Sequence, residues 1–240
     1  MKRSETDMVT LEDFSNRTEK FKTEVLGNIP KKRLYQKTKR IFDVTVASIA
    51  LVVLFIPMFI IAVIIAIDSP GNPIYRQVRL GENGKEFVIY KFRSMRVDAE
   101  SGGARWASSD DPRVTKIGRF LRNTRMDELP QLVNIIRGDM SFVGPRPERP
   151  EFYDVFDSYI EGFRQRMLVK PGLTGHAQVN GGYELLPEEK ILYDLEFIKK
   201  RGVLMDTACI LKTVKVVIVG DKANCQESNL QNEKMSEETV

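Results

Sequence analysis

Residues 1–30 place scattered apolar positions in a polar background of mixed charge, with only weak periodicity. They predict a loosely ordered arm with a short helix around Thr10 to Val25. A dense basic run follows, Lys31 to Arg40 (KKRLYQKTKR), and leads directly into IFDVTVASIALVVLFIPMFIIAVIIAI, Ile41 to Ile67. No charged residue occurs from Val44 to Ile67, and about 20 apolar residues suffice to cross the hydrocarbon core as a helix. The run starts too late and is too long for an ordinary signal peptide. A soluble domain of this size rarely encloses so long an all-round apolar helix. A membrane segment is therefore expected. Pro57 interrupts it, removing a backbone donor and crowding the turn before it, and the freed carbonyl needs relief in lipid from Ser48, Thr45 or a bend. Both flanks are basic, so the positive-inside rule gives no asymmetry. Like-charged ends around a proline favour a re-entrant helix-break-helix hairpin that enters and leaves by one leaflet, with a kinked span as the alternative.

Beyond Ile67 the texture changes. Ser69 to Pro73 (SPGNP) is a turn cluster, and IYRQVRL-GENG-KEFVIYKF reads as a β-hairpin around Asn83-Gly84. Asp98 to Arg113 is a long polar loop with a glycine pair, and KIGRFLRNTRM a short basic helix. Phe152, Val155, Phe156, Tyr159, Ile160, Phe163 and Met167 recur at helical spacing and predict one amphipathic helix. Ile210, Leu211, Val214, Val217 and Ile218 predict another, with Lys212 and Lys215 on its polar side, able to pack on the core or lie among headgroups. Residues 222–240 read as a disordered tail. The expected fold is α+β and mainly helical: an arm (1–36), the membrane hairpin (37–68), a cytoplasmic catalytic domain (69–221) carrying the β-hairpin and amphipathic interfacial helices, and the tail (222–240).

Composition narrows the chemistry only slightly. The 240 residues carry a formal charge of +4, a mild excess that suits phosphate-bearing partners such as nucleic acid, anionic headgroups or phosphorylated small molecules. Cys209 and Cys225 form no spaced framework, so two free thiols are expected. His176 is the only histidine, which excludes a Cys/His zinc cluster. No nucleic-acid reader motif or aromatic platform is present.

The most informative stretch is TRMDELPQLVNIIRGDMSFVGPRPE, Thr124 to Glu148. Asp127 and Glu128 are adjacent, and Pro130 suits a first helical turn, which places both acids at a helix N-terminus. The dipole there stabilises an ionised carboxylate and a bound phosphate alike. Neighbours on a helix point roughly 100° apart, so a division of labour suits them: one carboxylate at a reacting phosphorus, the other at a metal. A positioned aspartate can attack phosphorus, and magnesium is typically held by one or two carboxylates with substrate phosphates. An isolated Asp-Glu-x-Pro is ordinarily a solvated helix start. Here Lys91, Arg93, Arg119, Arg122, Arg125, Arg137 and Arg146 surround it in sequence, and Gly144-Pro145-Arg146-Pro147 pre-orients a guanidinium fork.

YKFRSM, LRNTRMDELPQLVNIIRGDMSFVGPRPE and VKPGLTGHAQVNG, in this order after a basic-flanked hydrophobic segment, resemble the bacterial sugar transferase family, the monotopic polyprenyl-phosphate phosphoglycosyl transferases. The likeness runs from about Lys37 to Gly220. It implies transfer of a sugar-1-phosphate from a nucleotide diphosphate sugar, usually a UDP-sugar, to undecaprenyl phosphate. The products would be undecaprenyl-diphospho-sugar and UMP, at the start of capsule or exopolysaccharide synthesis. It implies Asp127 as nucleophile of a two-step route, Glu128 as Mg2+ ligand, and Lys91, Arg122 and Arg146 as phosphate-binding groups. Lys170 stands where some members carry arginine, which keeps the charge and loses the fork. His176 stands where others often have tryptophan, and is expected to pack or touch a nucleotide edge. The resemblance is to the minimal form, without four further N-terminal helices, and the family's re-entrant hairpin maps onto Pro57. It implies residence on the cytoplasmic face of a bacterial membrane, against anionic headgroups, with no nucleic-acid partner; a homodimer is compatible with it. The competing class is a membrane-anchored, non-catalytic lipid- or nucleotide-binding regulator, for which Asp127→Asn would be silent.

Overall fold

The computed structural model describes residues 11–17, 19–27, 29–101, 103, 111–181 and 185–219. The expected disordered tail and residues 104–110 of the polar loop fall outside them. Among the described residues the protein is mainly helical with three two-stranded sheets, an α+β arrangement as expected.

The arm is tied down more firmly than its sequence suggests. Its helix, α1 (Leu11–Ser15), is one turn long, and β1 (Phe21–Lys22) then pairs in parallel with β5 (Ile160–Glu161). Phe14 inserts edge-on against Phe156 at 5.1 Å between ring centroids, inside the main core. A short apolar anchor, not periodicity, decides where this segment lies.

α2 (Arg33–Val53) and α3 (Phe55–Asp68) meet at Leu54 with a bend of 62°. No single helix among the described residues is long and apolar enough to cross a membrane. Pro57 sits in the first turn of α3, where its missing N–H goes unneeded and its ring would collide with the carbonyl of Val53 if the helix ran straight. The bend relieves that collision. Ala47 near the foot of α2 packs on Phe87, Leu132 and Ile135, and Ile65 of α3 packs on Phe92 and Leu121. Both helices rest one face on the same body, through Ala50, Leu51 and Leu54 on the first cluster and Met58, Ile61 and Ala62 on the second, while Val52, Val53, Phe55, Ile56 and Phe59 are exposed.

β2 (Ile74–Leu80) and β3 (Glu86–Phe92) form the expected antiparallel hairpin, with Asn83 at φ 58° and Gly84 at φ 74° in its loop. The single helix expected over Phe152–Met167 is divided instead. α6 (Pro150–Tyr159) ends as Ile160 becomes extended to pair with β1; Gly162 turns at φ 80°, and a 3-10 turn covers Phe163–Leu168. The apolar spacing misleads because the 3-10 turn buries Phe163 in the same core. After β6 (Gly172–Thr174), which pairs in parallel with β4 (Ser141–Val143), come α7 (His176–Asn180), α8 (Pro187–Lys200) and α9 (Val203–Val219). α9 turns Cys209 and Val216 inward and leaves Leu204, Leu211, Val214 and Val217 exposed.

Candidate active site

Four segments converge on the acid pair. β3 delivers Lys91, and its position is fixed by Asn134, fully buried on α5 (Leu132–Arg137). The Asn134 amide accepts from Tyr90 N at 3.1 Å and donates to Val88 O at 2.7 Å. α4 (Lys116–Asn123) is capped by Thr115, whose hydroxyl accepts from Gly118 N at 2.9 Å, and carries Arg122 in its last turn. Gly118 is required there, since any Cβ would collide with the carbonyl of Ser94. Arg125 then adopts φ 58°, a left-handed conformation costly for a side-chain-bearing residue, and swings the chain into a 3-10 turn, Met126–Gln131. Asp127 and Glu128 occupy this turn, which runs straight into α5. The expected helix N-terminus is therefore a 3-10 lead-in, with Pro130 inside it. β4 supplies the fourth segment, ending in the Gly144-Pro145-Arg146-Pro147 turn; a Cβ on Gly144 would strike the Lys170 carbonyl.

Both acids are 4% exposed. Glu128 is gripped by Arg146, which donates to Oε1 at 2.5 Å and to Oε2 at 3.3 Å, with Lys91 Nζ 3.5 Å from Oε1. Burial opposes its charge, but Arg146 and Lys91 outweigh burial and hold the carboxyl well below the usual range. Asp127 fares differently. Burial pushes it up to about 6, the charge of Glu128 pushes the same way, and the pull of Lys91, Arg122 and Arg146 falls short. Its Oδ1 is buried without a hydrogen-bond partner. A buried carboxylate oxygen that nothing bonds is free to meet an electrophile, and its cationic neighbours suit an incoming phosphate.

Lys91, Arg122 and Arg146 also line a cavity of about 520 Å³, together with Arg79, Arg149 and Lys190. Glu148 is buried on its wall, with Arg79 at 3.4 Å and Lys190 at 3.7 Å. Behind it Arg166 is completely buried. Its Nε donates to Asp194 at 2.6 Å and its Nη2 to the carbonyl of Arg146 at 2.9 Å. The Pro-Arg-Pro turn is thus fixed from behind by a buried ion pair.

The structure brings Asp127, Glu128, Lys91, Arg122 and Arg146 together. It does not bring Lys170, whose Nζ donates to Gly138 O at 2.8 Å at the far end of α5, beside Arg40. His176 packs edge-on against Tyr193 and contacts Glu196 at 3.0 Å. Arg93 holds the turn at Ser69 and Pro70, and Arg137 bonds the Tyr90 hydroxyl. Sequence reasoning missed Lys190, Arg166 and Asp194. Nothing in the spacing of α8 distinguishes Lys190 from a solvated lysine. Asn134 looked like one more polar residue within an apolar run.

A divalent cation would find a suitable, if small, donor set. Among the described residues no three His, Cys, Asp or Glu side chains converge, but Glu128 is a hard oxygen donor and the unbonded Oδ1 of Asp127 lies with the residue beside it. Such a pair fits the habit of Mg2+ of taking one or two carboxylates and completing its shell from phosphates and water. It requires Arg146 to release an oxygen of Glu128, which a substrate phosphate can bring about by competing for the guanidinium.

With this geometry established, the chain can be placed among known proteins. The model of the family described as bacterial sugar transferase matches residues 34–220. The chain belongs to the bacterial sugar transferase family. It is 40% identical over 199 residues to the UDP-N-acetylgalactosamine-undecaprenyl-phosphate N-acetylgalactosaminephosphotransferase of Aeromonas hydrophila, covering 81% of this chain and 47% of that protein. Similarity to the UDP-glucose:undecaprenyl-phosphate glucose-1-phosphate transferase of Escherichia coli is 40% over 182 residues, 73% of this chain and 39% of the relative. The Caulobacter vibrioides protein of that same name matches at 39% over 191 residues, 77% of this chain and 71% of its own length. The chain thus spans less than half of the first two sugar transferases and most of the third.

Proposed function

We propose that this chain transfers a sugar-1-phosphate from a nucleotide diphosphate sugar, a UDP-sugar in the first instance, to undecaprenyl phosphate through a covalent intermediate on Asp127. The observation that carries the reading is the buried, unbonded Oδ1 of Asp127 among Lys91, Arg122 and Arg146. In the first step a carboxylate oxygen of Asp127 attacks the phosphorus bearing the sugar. The bond to the bridging oxygen of the diphosphate breaks, UMP departs with that oxygen, and the phospho-sugar is left as an acyl phosphate on Asp127. In the second step an oxygen of undecaprenyl phosphate attacks the same phosphorus. The carboxylate leaves, and undecaprenyl-diphospho-sugar is released. Lys91, Arg122 and Arg146 neutralise the phosphate charge that otherwise repels the attacking carboxylate. Mg2+, held by Glu128 and the substrate phosphates, would add charge stabilisation at the leaving diphosphate oxygens.

The bent pair α2–α3 is read as a re-entrant hairpin. From Asp43, the last charged residue of α2, to the bend at Leu54 is about 11 residues, roughly 16 Å of helix, against ~30 Å of hydrocarbon. A hairpin of that depth returns to the leaflet it entered, keeping the basic run of residues 31–40 and the active site on the cytoplasmic face beside anionic headgroups.

One observation also fits a single direct displacement: a carboxyl raised to about 6 suits a general base. The acceptor phosphate is already largely ionised at neutral pH, so such a base has little to remove. UMP release from a panel of UDP-sugars, with and without undecaprenyl phosphate, tests the proposal. The covalent route gives one equivalent of UMP per active chain without lipid and continuous release with it. A lipid requirement for the first equivalent would count against it.

A further inference from the structure

Glu128 of the acid pair borders a second cavity of opposite character. It has a volume of about 210 Å³ and shares no lining residue with the cationic one. Glu128 and Arg125 stand on its wall; much of the remainder is apolar, with Leu129, Leu173, Val179 and Val214 among the contributors. The hydroxyls of Thr174 and Thr213, also on the wall, satisfy each other at 2.7 Å. A nucleotide or sugar placed here would set most of its polar groups against leucine and valine, with the buried, unbonded amide of Gln178 as a further polar group on the wall. The volume is also below the 300–1,000 Å³ usual for a whole small ligand, so the cavity suits a segment of something longer.

Its position shows where the rest would go. Val214 and Val217 on α9 form one wall and are 53% and 43% exposed, so the groove opens along that helix. α9 is pinned through Asp206, which accepts from Tyr35 at 2.8 Å and Lys39 at 2.6 Å. These partners sit on α2 just where its basic run gives way to Ile41 and Phe42. The first turn of α9 therefore lies at the boundary between charge and exposed hydrocarbon, and the groove opens about two turns further along the same helix. The groove is continuous with the exposed apolar face of α9 and ends at Glu128, next in sequence to Asp127.

We propose, on the basis of the transferase reading above, that this groove holds the first isoprene units of the polyprenyl phosphate acceptor. The phosphate is directed at Asp127, and the remaining tail leaves across α9 into the bilayer. The two substrates then reach one carboxylate through separate openings, the nucleotide sugar by the cationic cavity and the lipid by the apolar one.

A farnesyl phosphate carrying a diazirine on its first isoprene unit, photolysed with the full chain in nanodiscs, tests this independently of turnover. Crosslinks are expected on the peptides of β6 and of α9 around Val214, and excess undecaprenyl phosphate should remove them. Val214→Trp, which fills the mouth, should lower the yield about tenfold, what losing two buried methylenes is worth. Leu204→Trp, exposed on the same helix and outside the groove, should leave the yield unchanged. Crosslinks confined to α2–α3 or to the outer face of α9, or equal losses in both variants, would overturn the groove. UMP release from UDP-sugar by the unmodified protein, measured alongside, reports separately on the transferase reading.

Discussion

Asp127 and Glu128 are neighbours in sequence, equally buried, and driven in opposite directions. Arg146 and Lys91 lie on Glu128 and keep it charged, while Asp127 is left with burial and a like charge beside it. Consequences for both stability and rate follow. In the folded chain Asp127 titrates near 6, against about 3.9 in an unfolded one. The fold therefore binds that proton more tightly, and stability is lost as pH rises through 6. Asp127→Asn is expected to melt above the parent at pH 8 in a thermal scan, with the gap narrowing toward pH 4, while UMP release disappears. In the parent, kcat/KM for the nucleotide sugar, which reports the free enzyme, should fall as pH drops through about 6. This residue pair was legible from sequence because two acids before a proline, among arginines, are a chemical pattern. Lys190 was not, because its burial comes from the packing of α8 against Glu148, which no local pattern records.

Among the elements, the β2–β3 hairpin was readable down to its Asn83-Gly84 turn, since strand alternation and turn chemistry agree there. The segment after α6 was not. Its apolar spacing is that of a helix, yet Ile160 is taken for a strand by the N-terminal arm, and Gly162 allows the reversal. The 3-10 lead-in before α5 was likewise hidden, because Arg125 carries no sign that its backbone will turn left-handed. The 3-10 turn after Gly162 has a task beyond packing: it carries Arg166, which holds the carbonyl of Arg146 and pairs with Asp194 on α8. Asp194→Asn leaves a fully buried guanidinium without its counter-charge, a loss of about 3–5 kcal/mol, measurable by denaturant unfolding. Because Arg166 positions the turn and does not touch substrate, KM for the nucleotide sugar should rise in the variant more than kcat falls. An equal drop in kcat alone would contradict the positioning role.

For the molecule as a whole, the question is which way the apolar pair points. Ala47 and Ile65 rest on a single body, so the chain before α2 and the chain after α3 are expected on one side of the membrane. With Cys209 and Cys225 replaced by serine, Lys31→Cys and Val97→Cys should both react with an impermeant maleimide only after spheroplasts are opened. Labelling of the two from opposite faces would rule out the hairpin. Pro57→Ala restores the donor to the Val53 carbonyl and removes the cause of the bend; a fraction of Lys31→Cys should then become reactive from outside. The sequence carried the length of the apolar run, the proline and the like-charged ends that favour a return, but not what would hold it. That depends on Ala47 and Ile65 finding α5, β3 and α4, contacts made across long separations.

All of these expectations meet at a bond between the Asp127 carboxylate and phosphorus. Mass spectrometry of the chain after incubation with the nucleotide sugar alone, with no lipid acceptor, measures it directly. The prediction is a mass increase of one phospho-sugar, localised to Asp127, absent from Asp127→Asn and discharged by undecaprenyl phosphate. A fully active preparation that carries no such adduct, or carries it on another residue, would contradict the account.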